Sequence, residues 1–283
     1  MAKLTGVHGI GMHQRGRHQL LATWGPALAD GLERAAGHRV EQPSVDLAFY
    51  GDLYLPVPRT AGKAAAGRKE LDWDGLTDQE ITHLRAWLSD ALTPEQIASV
   101  PSAAEKGYTR VPRPLQALLY AFDRCFGAAA AVLYLGVLRQ VHRYLADPGL
   151  KAAVDARVKE AVTPDCRVLV GHSLGSVVAY EYLRQNPEHR VEAFITAGSP
   201  LGLRMVRERI VVEDLPVGLW TTVRDLRDPV ACAGRLGTWW PQIAAQEEVV
   251  VDNGGDAHAV ERYLSSRTTG ALVLRTLPEL ARA

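Results

Sequence analysis

The residues of this chain whose types and spacing could do chemistry sit in the run Gly171-His172-Ser173-Leu174-Gly175. The run lies between a strand-like segment, Arg167–Val170, and a helix-like one, Leu174–Arg184. A sharp strand-to-helix turn forces its central residue into a strained backbone conformation and lifts that side chain clear of the sheet. Strand and helix crowd on either side of such a turn, so the flanking positions must be small, as Gly171 and Gly175 are. The helix N-terminus also aims backbone N–H groups at any negative oxygen that forms beside Ser173. The chemistry this suggests is attack of the Ser173 hydroxyl on a carbonyl. The competing account is an ordinary glycine-rich turn. A second glycine-rich stretch holds Gly6, Gly9 and Gly11, which are not spaced as G-x-G-x-x-G, and no Walker lysine follows. A phosphate-cradling loop is therefore set aside.

Such a turn needs a parallel sheet to hold it, and the sequence alternates strand-like with helix-like segments as that architecture requires. Lys3–His8, Val45–Tyr50, Arg167–Val170, Val191–Thr196, Leu219–Val223 and Glu248–Val251 read as strands. Leu21, Trp24, Leu28, Leu32 and Ala35 follow helical spacing, with Gly37 as a stop, and Leu150, Val154, Val158 and Ala161 share one helical face. Residues 51–148 interrupt the alternation with mostly helical sequence. Within them Thr77-x-x-Glu80 is a capping box and Thr93-Pro94 a helix start. The expected class is α/β: a mostly parallel sheet of about six strands with helices on both faces. Residues 1–283 are read as one domain and 51–148 as an insertion within it, not a second domain.

Composition narrows the partners. The 283 residues carry 32 Lys+Arg against 32 Asp+Glu, so the formal net charge is zero, and nucleic acid is not expected as a partner. Cys125, Cys166 and Cys232 form no C-x-x-C and are expected as small buried apolar residues rather than a disulfide framework or zinc ribbon. Asp252 and Asp256 are too few for a calcium site, and no metal is expected. Met1-Ala2-Lys3 leads straight into a strand without signal-peptide character. The uncharged apolar run Cys125–Leu138 has 14 residues, short of the roughly 20 that span a bilayer. A cytoplasmic protein is the expectation.

Val170-Gly171-His172-Ser173-Leu174-Gly175, taken with Val7-His8-Gly9-Ile10-Gly11 after the first strand, resembles the α/β-hydrolase superfamily, and most of all its small bacterial lipases and esterases. The resemblance covers about residues 1–50 and 150–265; the middle insertion matches nothing in it. It implies the α/β-hydrolase fold and a triad in chain order Ser, acid, His, with Ser173 as nucleophile. His258 follows the last strand, where the family's histidine belongs. The family's acid lies just after the strand Leu219–Val223, where Asp228 in Asp228-Pro229-Val230 is preferred to Asp225, with Asp256 third. The backbone N–H groups of Ile10 and Leu174 would form the oxyanion hole, with His8, Gly9, Gly11 and His172 as the supporting turns and His8 a structural hydrogen-bonder. Ala197-Gly198-Ser199-Pro200 resembles the G-S-P turns of lipase-like relatives, where it would shape the acyl pocket, and a plain turn is the preferred reading.

The activity so implied is serine hydrolysis of a small-molecule ester or thioester, without a cofactor. The same machinery serves acyltransferases and amidases, and the fold also serves non-catalytic binding proteins. The insertion sits where a helical cap could fold over the catalytic edge. Its apolar positions Ile81, Leu84, Leu88, Phe122, Phe126 and Tyr134 would then line an acyl site, touch a membrane surface, or simply pack on the body. Cys125–Leu138 as an interfacial helix is one form of the membrane reading. Trp239-Trp240-Pro241 is left open between pocket wall, cap contact and dimer surface.

Overall fold

The computed structural model describes residues 2–9, 15–55, 76–100 and 111–282. Among them six strands form one all-parallel sheet: β1 (Leu4–Val7), β2 (Val45–Ala48), β3 (Val168–His172), β4 (Ala193–Ala197), β5 (Leu219–Asp225) and β6 (Glu248–Val251). Their spatial order is β2-β1-β3-β4-β5-β6. The chain steps outward from β1 to β2, then crosses back to build everything else on the far side of β1. The order therefore reverses between β1 and β3, and the crevice beyond the carboxyl ends of these two strands is where ligands bind in such sheets.

Alternate residues of the strands feed two cores. Val168, Val170, Ile195 and Val223 pack against α1 (Arg17–Ala36) and, further along the chain, Val260, Tyr263, Leu264, Leu272 and Val273. Those last residues belong to α9 (Val260–Leu264) and α10 (Arg267–Thr276). Leu169, Phe194 and Trp220 point the other way. They meet α6 (Pro148–Ala161) and α7 (Leu174–Gln185), together with the helices of the middle region. The result is α/β in three layers. β3 continues to His172 and β5 to Asp225, two residues beyond the strand ends read from sequence in each case.

The middle region supplies α2 (Asp78–Asp90), α3 (Pro94–Ala98), α4 (Arg113–Phe126) and α5 (Ala130–Ala146). The expected capping box of Thr77 with Glu80 forms, and the helix start at Thr93 proves to be a second one, with Gln96. Leu84, Leu88, Phe122 and Tyr134 are fully buried in the same core as Leu169 and Val177. These four side chains pack on the body and on one another. The run Cys125–Leu138 is likewise not one helix. Gly127 (φ 105°) and Ala129 (φ 64°) break it, and Tyr134, Leu135, Val137 and Leu138 are buried. Among the described residues no single helix is long and apolar enough to cross a membrane, and α4 and α5 meet at a 108° bend.

The short α8 (Arg204–Arg207) follows β4. Trp240 is core, in contact with Tyr180 and Trp220, while the Arg207 guanidinium lies over the Trp239 ring. All three cysteines are unpaired. Cys166 is buried as expected, Cys232 is half-buried, and Cys125 is exposed because it falls on the outer side of α4.

Candidate active site

Ser173 stands between β3 and α7 at φ 54° and ψ −130°, a conformation that a non-glycine residue holds only when its surroundings enforce it. Enforcement comes from both sides. The Ser173 N–H donates to the Ala197 carbonyl at the end of β4 (3.0 Å), and the Ser173 carbonyl accepts from Ser176 Oγ at 2.6 Å. A Cβ at Gly175 would stand 2.0 Å from the Val7 carbonyl oxygen, so no larger residue lets α7 pass β1 this closely. At Gly9, after β1, a Cβ would lie 2.7 Å from Ser173 Cβ, so the chain leaving β1 runs directly alongside the serine.

His258 reaches the same point from the loop after β6. Its Nε2 lies 3.0 Å from Ser173 Oγ, and its Nδ1 lies 2.8 and 2.9 Å from the two carboxylate oxygens of Asp228. With Nδ1–H facing a carboxylate, Nε2 is left to accept from the serine hydroxyl. The backbone around His258 is held as well: His172 Nε2–H donates to the His258 carbonyl at 2.9 Å. Burial, and then the neighbouring His258, hold His172 down to about 3, so it is a neutral donor.

Asp228 follows β5 and is fully buried. Besides His258 it accepts from the Val230 N–H (2.8 Å) and from the Tyr263 hydroxyl (2.6 Å). Burial alone would favour the protonated carboxyl. The His258, Tyr263 and Val230 contacts outweigh it, and the carboxyl stays below the usual aspartate range. Burial and the adjacent Asp228 in turn push the Tyr263 phenol well up, which keeps it a proton-bearing donor. The same hydroxyl accepts from the Asp225 N–H at 3.0 Å, fastening the end of β5.

Asp225, the alternative acid, does not reach the histidine. Its carboxylate accepts from the Asn253 N–H (2.6 Å) and the Arg227 N–H (2.8 Å), and pairs with the Arg227 guanidinium. Asp256 is exposed. His8 is a hydrogen-bonding strut: Nε2 accepts from the Tyr50 N–H at 3.2 Å, leaving Nδ1–H for the Gly9 carbonyl at 2.7 Å. Its ring stacks on Tyr50 with centroids 4.1 Å apart, and burial, opposed by the Gly9 bond and Asp52, lowers it to about 4. Leu174 is the first residue of α7, and its N–H has no intrahelical partner to bond. Ile10 and Gly11 lie outside the described residues.

Two members of this constellation carry no chemical signal in the sequence. Tyr263 is one apolar-face residue in a short helix. Gly198, read as part of a plain turn, has φ 55° and passes so near the triad that a Cβ would stand 2.7 Å from Asp228 Oδ2 and 3.2 Å from His258 Nδ1. A turn glycine beside a G-S-P is a common feature, and only the fold brings it here.

Ser173 itself is fully buried and His258 nearly so. A cavity of about 370 Å³ reaches His258, bounded by Phe126, Ala128 and Leu133 of the α4–α5 turn on one side and by Pro229 and Ala257 on the other. Among the described residues no three His, Cys, Asp or Glu side chains converge as a metal centre requires. The assembled groups can move the Ser173 proton to His258 and hold the resulting imidazolium against Asp228. No family model, curated protein or solved structure matches the chain.

Proposed function

We propose that this protein is a serine hydrolase with the α/β-hydrolase fold, acting on a carboxylic ester or thioester through an acyl-enzyme. Ser173 attacks the carbonyl carbon while His258 Nε2 takes its proton. The tetrahedral oxyanion lies at the N-terminus of α7, where the Leu174 N–H donates to it; the second donor that the resemblance assigns is the N–H of Ile10, outside the described residues. His258 then returns the proton to the departing alcohol or thiol. A water activated by the same imidazole cleaves the acyl-enzyme and restores Ser173. Asp228 fixes the tautomer and offsets the charge on the ring throughout.

The observation that carries this reading is the continuous line from Ser173 Oγ through His258 to Asp228, with gaps of 3.0 and 2.8 Å, on a residue at φ 54°. Strain at an exposed turn would be unremarked; here it is stored where the serine meets its base. The supporting features are the position of all three groups beyond the carboxyl ends of β3, β5 and β6, and the placement of Ser173 at the reversal in strand order.

Intact mass after incubation with a fluorophosphonate tests the proposal. One adduct is expected on the wild type and none on Ser173→Ala or His258→Ala. An adduct that persists in Ser173→Ala, or a wild type that never labels, overturns it.

A further inference from the structure

A second cavity, of about 500 Å³, opens between α2 and α5, and none of its lining residues belongs to the triad. Its size is that of small-molecule sites. One wall is aromatic. His83 stacks on Trp87 with ring centroids 6.0 Å apart, and His142 meets both rings at 5.5 and 5.7 Å. Leu84, fully buried, lies beside them. The other wall is cationic. Arg139 and Arg143 stand one helical turn apart on α5 and so present the same face. Among the described residues Glu80 is the one carboxylate lining the cavity, and it is paired with Arg139 at 3.2 Å.

Among the described lining residues two guanidiniums stand against one carboxylate. Arg143 lies over the ring of Tyr54, 5.4 Å from its centroid, a contact that holds the charge in place without neutralising it. His142 is held below the usual histidine range by burial, then by Arg209 and His83. The guanidinium of Arg143 favours an anion over a cation here. A flat apolar surface beside a guanidinium fork matches a planar body carrying one carboxylate.

We propose that this cavity binds a small aromatic carboxylate, its ring system against Trp87 and His83 and its carboxylate toward Arg143. The inference does not rest on the serine chemistry. Because α5 borders both cavities, with Leu133 near His258 and Arg143 near Trp87, the test must tell them apart.

Isothermal titration calorimetry with 2-naphthoate does so, using Arg143→Gln for this cavity and Arg227→Gln for the one at His258. Both arginines are largely exposed, and urea unfolding of Arg227→Gln checks the cost of its lost bond to buried Asp225. One molecule is expected to bind per chain, about tenfold or more weakly in Arg143→Gln, as loss of a charge-assisted contact entails. Affinity is expected to be unchanged in Arg227→Gln and in Ser173→Ala. The uncharged 2-naphthalenemethanol is expected to bind as weakly as 2-naphthoate does to Arg143→Gln. Absence of binding at millimolar 2-naphthoate overturns the proposal. So does an alcohol that binds as well as the acid, or an affinity that falls in Arg227→Gln and not in Arg143→Gln.

Discussion

Replacing Gly198 with alanine separates two costs that the structure places at one residue. The first is backbone: at φ 55° an L side chain is strained, by about 1–2 kcal/mol. The second is packing: the new methyl would stand 2.7 Å from Asp228 Oδ2, 3.0 Å from Tyr263 Cε2 and 3.2 Å from His258 Nδ1, all in buried side chains with no room to retreat. Overpacking of this kind costs about 1–3 kcal/mol, for a total of about 2–5 kcal/mol. Gly37 supplies the control, because it has φ 79° at the end of α1 and nothing within 4 Å of its would-be Cβ. Gly37→Ala therefore carries the backbone cost alone. Urea unfolding of both variants measures the difference, and the rate of fluorophosphonate labelling measures the geometry. Moving Asp228 and His258 by even about 1 Å is expected to slow labelling about a hundredfold in Gly198→Ala, with Gly37→Ala at the wild-type rate. If Gly198→Ala matches Gly37→Ala in stability and labels like the wild type, the packing of Gly198 against the acid and base is refuted.

Asp228→Asn is expected to reduce labelling about 10⁴-fold, while Asp225→Asn keeps labelling and loses about 1.5–3 kcal/mol of stability with its bonds to Asn253 and Arg227; equal labelling losses would mean the wrong acid has been assigned. Tyr263→Phe removes a donor that helps hold Asp228 ionised, so the acid limb of the labelling-rate profile is expected to move to higher pH, and an unmoved limb would show that Tyr263 serves the fold alone. Burial lowers His172 to about 3 and His8 to about 4 from 6.5, so below pH 6.5 the unfolded chain takes up protons that the folded chain refuses. Stability from this source is complete above 6.5 and is lost as the pH falls, by about 1.4 kcal/mol per pH unit for each histidine, and His172→Gln should flatten the slope of urea stability between neutrality and about pH 5 by that amount. A slope that His172→Gln leaves unchanged would contradict its burial as a neutral ring.

The strands were readable because each is a short run of Val, Ile, Leu or aromatic residues bounded by turns, and the register of a sheet buried on both faces leaves little choice. The destination of the middle region was not readable. Helical spacing in Ile81, Leu84 and Leu88 says that one face is apolar, and it says nothing about which surface will cover that face. In the fold it is covered by α4 and α5, and those helices join the core of the body. Cys125–Leu138 shows the same limit from another side. Its composition is that of one apolar helix, and what divides it is the backbone at Gly127 and Ala129, where alanine takes a left-handed conformation that its residue type does not announce.

The choice between the two aspartates turned on a strand end, the least readable feature of any sequence. With β5 ending at Val223, both Asp225 and Asp228 would sit in the following loop. Because the strand continues, Asp225 is still paired in register with Val251, and its carboxylate is spent on the Asn253 N–H of the neighbouring loop. Asp228 is the first of the two free to turn toward His258, and two bonds from Tyr263, one to each segment, set that difference: its hydroxyl donates to Asp228 and accepts from the Asp225 N–H. Tyr263, Gly198 and His172 come from three segments that a parallel sheet gathers at the ends of its strands, 65 residues apart at Gly198 and Tyr263 alone by their numbers. A motif can disclose the serine, since its constraints lie within five residues. The groups that hold the acid in place are constrained only through space, and they become visible when the sheet is assembled.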